Sequence, residues 1–379
     1  MAMKIFAINP GSTSTKIALF EGETGDQCVF SKSIKHDAEK LATFKELCDQ
    51  LPYRKQMILD ALAAENITLE GTDAFVARGG GLQPLIGGTY NVGPILLKHA
   101  SLNMPEEEKK RFPTPHPAAL GSQIANAFQE EYGGRCFVVN PPDVDEFSDL
   151  ARFTGLKGVY RESRIHTLNQ KEIGIRYAES LGKKYSELNL IICHIGGGIS
   201  ITAHKEGLMI DSNDILNGDG PMAPTRCGSL TVKEVIKMCF SGKYTEKEMK
   251  DKVSKTGGWA DHLGTSDGMA VCAMIENGSE YARLVYDATI YQICKQIGSM
   301  AAVLKGKIDA IILTGGLAHD EYLTKKITDS VSFLAPVKIT AGEFEMEALA
   351  AGAVRVLTGE EKALEYTGIP VWKGFNFDK

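Results

Sequence analysis

Two stretches of the chain carry the same pattern of apolar and polar positions. Residues 5–8 (Ile-Phe-Ala-Ile) lead into Asn9-Pro10-Gly11-Ser12-Thr13-Ser14-Thr15-Lys16 and then Ile17-Ala18-Leu19-Phe20. Near the midpoint, Leu190-Ile191-Ile192-Cys193 leads into His194-Ile195-Gly196-Gly197-Gly198 and then Ile199-Ser200-Ile201-Thr202-Ala203. Setting Asn9 on His194 brings Gly11 onto Gly196 and Glu21-Gly22 onto Glu206-Gly207 without a gap. Each copy predicts a buried strand, a tight turn of small residues and a second, alternating strand. Such turns leave backbone N–H groups free to surround an anion.

Between and after these hairpins, strand and helix patterns alternate. The spacing predicts a helix over about 40–64, a strand over 73–77 that ends at Gly79-Gly80-Gly81, and a polar segment. A helix over 117–131 and a strand over 135–140 follow. The second part opens on a loop and helix over 157–181. Beyond its hairpin it carries a Gly/Pro-rich loop at 217–228 and helices near 231–239 and 279–304. It ends with a strand at 309–313, the turn Thr314-Gly315-Gly316 and a helix over 345–357. Strands alternating with helices predict α/β layers, and the opening hairpins make the sheets mixed rather than purely parallel. The main boundary is expected near residue 150. That gives a first domain of 1–150 joined by about 346–379, and a second of 151–345.

Composition adds mainly exclusions. The chain has 379 residues, enough for two cores, with 43% hydrophobic and 24% charged residues. A net charge of −6 and the lack of a basic stretch argue against nucleic acid as a partner. The apolar runs are of strand length, too short for a membrane span, and the N-terminus shows no signal-peptide pattern. Eight cysteines, none in a C-x-x-C pair, point to reduced thiols and a cytoplasmic setting rather than to disulfides or zinc.

The candidate chemistry is phosphate binding. Every Gly-Lys pair is followed by the wrong residue for a Walker A loop, which excludes a P-loop NTPase. Three glycine turns directly after apolar strands remain, at Gly11, at Gly196, Gly197 and Gly198, and at Gly315 and Gly316. Ser12, Ser14 and Lys16 add hydroxyls and a cation to the first. One such turn is an ordinary β-turn; three, two of them duplicated, point to a polyphosphate. Four basic groups lie in loops: Arg78 before three glycines, His116 between two prolines, His166 and Arg226. A phosphoryl group in transit spreads charge over its oxygens, and fixed Arg and His donors stabilise that charge. Acidic groups cluster at Asn140-Pro141-Pro142-Asp143-Val144-Asp145-Glu146 and at Glu343, Glu345 and Glu347. Magnesium carried by a nucleotide takes one or two such carboxylates.

Together these residues resemble the acetate and butyrate kinase family, within the superfamily of actin, chaperone ATPases and sugar kinases. The resemblance covers nearly the whole chain. It rests on Asn9–Lys16, Arg164-Ile165-His166-Thr167-Leu168-Asn169-Gln170-Lys171, His194–Gly198, Asp219-Gly220-Pro221 ahead of Arg226-Cys227-Gly228, Leu313–Ala318 and Glu345–Ala350. The 145–152 stretch and the His-x-Leu-Asn-Gln-Lys run resemble the butyrate branch.

The resemblance implies two duplicated ribonuclease-H-like domains around a nucleotide cleft, with ATP/ADP and Mg2+ as cofactors. It also implies a homodimer or an assembly of dimers. Asn9 would position the transferring phosphoryl group, Arg78 would hold the substrate carboxylate, and His116 would support the acyl side. Arg226 and His166 would stabilise the transition state. Gly196–Gly198 with His194 would cradle phosphates, Gly315 and Gly316 would border adenosine, and Glu347 would be the magnesium-side carboxylate. Asn140 stands where the family carries an aspartate, so either Asp143 or Asp145 supplies the charge or metal affinity falls.

The implied reaction is reversible, direct in-line transfer of the ATP γ-phosphoryl group to the carboxylate of a short-chain fatty acid, butyrate or a branched analogue, giving an acyl phosphate. A carboxylate is already ionised at neutral pH, so no general base is needed. The difficulty is the approach of two anions. Acetate or propionate is the alternative substrate, decided by pocket depth around Pro115, Ile165 and Met222. A sugar or polyol kinase of the same superfamily would require an aspartate base.

Overall fold

The computed structural model describes residues 2–110, 112 and 116–375. The chain divides into two compact units, Met1–Asp145 with Phe344–Lys379, and Glu146–Glu343.

Among the described residues the first unit holds a seven-stranded sheet, with strands β1 (Met3–Pro10), β2 (Ser14–Gly22), β3 (Gln27–Lys35), β4 (Ala74–Ala77), β5 (Thr89–Asn91), β6 (Arg135–Val139) and β12 (Leu364–Glu365). Their spatial order is β12-β5-β6-β4-β1-β2-β3. The second unit holds β7 (Asn189–Ile195), β8 (Ile199–Lys205), β9 (Leu208–Ser212), β10 (Ala310–Gly315) and β11 (Val337–Ala341), in the order β11-β10-β7-β8-β9. In both sheets three strands form an antiparallel meander, and the next two join parallel to the first. The sheets are therefore mixed and share one topology.

The duplication is real, but it is not gapless. Pro10 pairs with Thr15, enclosing four residues, whereas Ile195 pairs with Ile199, enclosing three. Beyond the turn the correspondence slips by one, and Lys16, opposite Asn9, matches Ser200, opposite His194. With that correction a second likeness emerges. The third strand of each sheet carries one extra residue at the same place, Val29 opposite Leu19/Phe20 and Ile210 opposite Ala203/His204.

The cores follow from burial on both sheet faces. In the first unit Phe6, Phe75 and Phe128 stack or meet edge to face, and Leu120 and Ile124 of the helix Leu120–Tyr132 pack beside them. In the second, Ile191, Cys193, Ile201 and Leu313 pack with Ile290, Ile293 and Ile297 of the long helix Glu280–Val303. β7 and β8 are buried almost throughout; β7 shows this in its apolar run Leu190–Cys193, whereas alternating β8 buries Ser200, Thr202 and His204 as well.

The helix expected over 40–64 is broken. Asp37 caps a short helix, Ala38–Ala42, and a separate helix, Leu51–Ala63, starts with Pro52 in its first turn. The polar segment after Gly81 hides β5 and the helix Pro94–Ser101. β11 and the helices Gly268–Glu276 and Glu321–Val331 also escape the pattern reading. No described helix is long and apolar enough to cross a membrane.

The last helix, Glu345–Leu357, returns to the first unit and lies on β1 and β6. Gly352 makes that approach possible, because a Cβ there would fall 2.5 Å from Val139 Cγ1. Gly352→Ala is expected to lower thermal stability by about 1–3 kcal/mol through overpacking. A melting temperature equal to wild type, read by circular dichroism, would show that the helix can shift at no cost.

Candidate functional site

In the first unit the candidate groups gather at the C-terminal ends of β1 and β4, where ligands bind in open α/β sheets. Asn9, near the end of β1, donates its amide to Glu345 Oε2 at 2.6 Å. Arg78 directly follows β4, with its guanidinium 3.5 Å from Glu345 Oε1. Gly79, Gly80 and Gly81 then take φ of 69°, 147° and 73°, which turns the chain away in a conformation open to glycine. His116 heads the turn Pro117–Ala119, where its Nδ1 accepts the Ala118 N–H at 3.1 Å. The protein packed around His116 and then the Arg78 guanidinium lower its pKa, so its imidazole is neutral at neutral pH. Pro115 lies outside the described residues.

The turn after β1 depends on a residue that the sequence reading missed. Arg54, fully buried, donates to the carbonyls of Gly11 (2.9 Å), Ser14 (3.3 Å) and Ser12 (3.4 Å), and to Thr15 Oγ1 (3.1 Å). Drawing the Gly11 and Ser12 carbonyls inward turns the N–H groups of Ser12 and Thr13 outward, because C=O and N–H oppose each other across a trans peptide. Ser12 is exposed and Ser14 partly so, leaving their hydroxyls accessible, and Lys16 is exposed on β2. Nothing in the local pattern marks Arg54, which lies on a helix some forty residues downstream.

The residues expected at the metal lie in different local settings. Asn140 adopts φ 39°, accepts the Gly88 N–H at 2.8 Å on its side chain and donates its own N–H to Gly88 O. Its amide thus clamps a turn. Asp143 is buried near Tyr366, and Glu347 lies near Cys28, whose thiol is raised by burial and then by the Glu347 charge. Glu345 is the carboxylate that meets Asn9 and Arg78. Among the described residues no group of three or more His, Cys, Asp or Glu side chains could hold a metal.

The second unit gathers His166, His194, Gly196–Gly198, Arg226 and Gly315. The His166 and His194 rings stack with centroids 3.9 Å apart and planes at 16°. His194 Nδ1 lies 3.0 Å from Asn169 Oδ1, and its Nε2 faces Glu343 at 4.0 Å. The run His166–Lys171 thereby acquires a physical meaning. His166 stands at the N-cap position of the helix Thr167–Ser180, and three successive buried side chains tie that helix to the meander and to Glu146. Asn169 meets His194, Gln170 meets Ser200 and His204, and Lys171 pairs with buried Glu146 at 2.8 Å.

Arg226 sits in a turn closed by reciprocal backbone bonds to Ala223. Its guanidinium fills the place a side chain at Gly198 would take, with Nη1 1.2 Å from the ideal Cβ position. Arg226 Nε and Nη1 are buried without a hydrogen-bond partner. Burial lowers the Arg226 pKa, opposed by the Asp214 carboxylate, but an arginine keeps its proton. Gly315, at φ 92°, packs on the Ile195 backbone, and a Cβ there would lie 2.5 Å from Ile195 O. Gly316 and Gly197 meet no neighbour within 4 Å. The result is a glycine-floored surface with a buried cation that still has donors to offer, a site for an anion.

His36 gives the first unit a pH signature. Its Nε2 contacts Thr15 Oγ1 at 2.8 Å, and burial, then the Arg54 charge, lower its pKa to about 4. The unfolded chain binds that proton below about 6.5, so stability is full above pH 6.5 and is lost as pH falls toward 4. The expected loss is on the order of 3 kcal/mol. His36→Gln is expected to flatten this slope in denaturant titrations between pH 7 and 4; an unchanged slope would assign the pH dependence elsewhere.

Comparison with known proteins identifies the family. Residues 156–341 match the family model described as Acetokinase family. Butyrate kinase 2 of Clostridium acetobutylicum is 43% identical over 366 residues, covering 97% of this chain and 100% of that protein. A probable butyrate kinase of Clostridium botulinum is 42% identical with the same coverage. Among solved structures, the acetate kinase of Porphyromonas gingivalis superposes with a TM-score of 0.73 at 20% identity. It covers 94% of this chain and 100% of that one. A propionate kinase from Francisella tularensis reaches 0.70 at 17% identity, covering 92% and 98%. At such identities these two structures speak for the fold. With relatives this similar over nearly the full length, the chain belongs to the acetokinase family.

Proposed function

We propose that the protein phosphorylates the carboxylate of a short-chain fatty acid, butyrate or a branched analogue, at the expense of ATP, and runs equally in reverse. A carboxylate oxygen bonds to the γ-phosphorus as the bond from that phosphorus to the β–γ bridging oxygen breaks, giving acyl phosphate and ADP with no covalent enzyme intermediate. The observation that carries this reading is Arg226, whose buried Nε and Nη1 lack a protein partner beside the glycine floor. Full-length similarity to proteins named butyrate kinase supports the acid's chain length.

The first unit supplies the acyl side. Arg78 holds the carboxylate, His116 supports it, and Asn9, oriented by Glu345, positions the phosphoryl group. The second unit supplies the nucleotide side, with Gly196, Gly197, Gly198 and His194 at the phosphates and Gly315 and Gly316 at the adenosine. Ser12, Ser14 and Lys16 complete the phosphate contacts of the first turn. His166 and Arg226 stabilise the transferring group. Magnesium, held by phosphates with Glu345, Glu347, Asp143 or Asn140 at its outer side, neutralises charge on the polyphosphate when bound. The enzyme works in the cytoplasm as a homodimer or an assembly of dimers. The second unit leaves Phe240, Met269 and Val232 exposed, apolar surface that a partner subunit could cover.

With ATP, magnesium and hydroxylamine, the protein is expected to form hydroxamates across an acetate-to-valerate panel, with a maximum at butyrate or isobutyrate. A maximum at acetate would keep the reaction and overturn the branch assignment. Silence from protein that binds ATP would sink the reaction itself. Arg226→Ala is expected to lower kcat by roughly 10²–10³-fold while ATP binding, measured by calorimetry, stays nearly unchanged. A near-normal kcat would remove Arg226 from the transition state.

A further inference from the structure

Behind His166 a file of buried polar groups crosses the second unit. The Tyr185 hydroxyl hydrogen-bonds His204 Nδ1, and His204 Nε2 lies 3.0 Å from Gln170 Oε1. Gln170 Nε2 lies 2.7 Å from Ser200 Oγ and 3.2 Å from Ser200 O, and Ser200 Oγ lies 2.8 Å from His166 Nδ1. Gln170, Ser200 and His204 are each 0% exposed.

The direction of every bond in this file follows from two fixed ends. The Ser200 carbonyl only accepts, so the Gln170 atom facing it is the amide nitrogen, and its oxygen faces His204. That oxygen only accepts, so His204 carries its proton on Nε2 and takes the Tyr185 O–H on Nδ1. Burial, with the Lys171 charge, lowers the His204 pKa, in keeping with a neutral ring. At the other end the Gln170 amide donates to Ser200 Oγ. The Ser200 hydroxyl proton then has one acceptor among its partners, His166 Nδ1.

We infer that Ser200, oriented by Gln170, His204 and Tyr185, fixes His166 as the tautomer with its proton on Nε2; in the kinase reading that N–H serves the phosphoryl group. Ser200 is thus a positioning residue. It sits opposite His194 on β8, at the position that matches Lys16 in the first unit. The same position thus serves a buried relay in one hairpin and an exposed cation in the other.

The role of that N–H rests on the kinase reading, but the tautomer does not. Long-range ¹H–¹⁵N spectra of the full protein, labelled at histidine nitrogen and assigned with His166→Gln, read the tautomer directly. The expected wild-type result is His166 protonated on Nε2. In Ser200→Ala the ring is expected to become a tautomer mixture, with kcat about 10-fold lower and both KM values within about 2-fold. Ser200→Cys, a weaker donor of similar shape, is expected to fall between and covers a failure of the alanine variant to fold. A wild-type His166 protonated on Nδ1, or variants with the wild-type tautomer, would overturn the inference. An Nε2–H ring in a protein that phosphorylates no carboxylate would leave this inference standing and sink the kinase reading.

Discussion

A guanidinium held out of water is the constraint on which each unit is built, and the two units use it in opposite ways. In the first, Arg54 spends its donors on the turn after β1, with bonds to three carbonyls, a hydroxyl and Gln50. A buried cation so satisfied cannot move without orphaning several acceptors, so the turn it braces is rigid. In the second, Arg226 is buried with donors to spare. The first arginine fixes a turn, whereas the second keeps two nitrogens without a partner among the described residues.

The remaining parts of each site hang on the ends of strands. Asn9 and Arg78 end two neighbouring parallel strands, while His194 and Gly315 end the corresponding pair in the other sheet. Chain duplication explains the shared placement, but the residues have diverged. Where the first hairpin keeps a four-residue turn with hydroxyls, the second keeps three glycines and admits Arg226 into the space of a missing side chain. The single-residue difference in turn length shifts the sequence correspondence by one, while Lys16 opposite Asn9 and Ser200 opposite His194 keep the same place on the facing strand.

Much of this was legible in the sequence, and what was missed has a physical pattern. Apolar periodicity disclosed the hairpins, the long helix near 279–304 and the returning helix at 345–357, because burial writes itself directly into residue type. The break between residues 42 and 51 and the short β5 were hidden, since each depends on caps and pairing rather than period. Site residues on strand ends were visible through their glycines. Arg54 was not, because its partners are backbone carbonyls that leave no trace in sequence. Glu345 and Glu347 are indistinguishable by pattern, and only the helix phase sends Glu345 toward Asn9 and Arg78. Asn140 reads as a failed metal ligand in sequence, whereas its left-handed backbone and its bond to Gly88 show what an asparagine does there that an aspartate does less well.

The acceptor's chemistry explains why the site has this composition. An alcohol must lose a proton as it attacks, so a sugar kinase places a carboxylate base against it; a fatty acid is already ionised and would be repelled by one. The candidate groups are correspondingly donors, Asn9 and Arg78 in the first unit, His166 and Arg226 in the second. Glu345, the acid among them, is occupied by the Asn9 amide and the Arg78 guanidinium, so its charge is offset before any substrate arrives. Between two anions a base has nothing to remove, and catalysis falls to donors held rigidly in place.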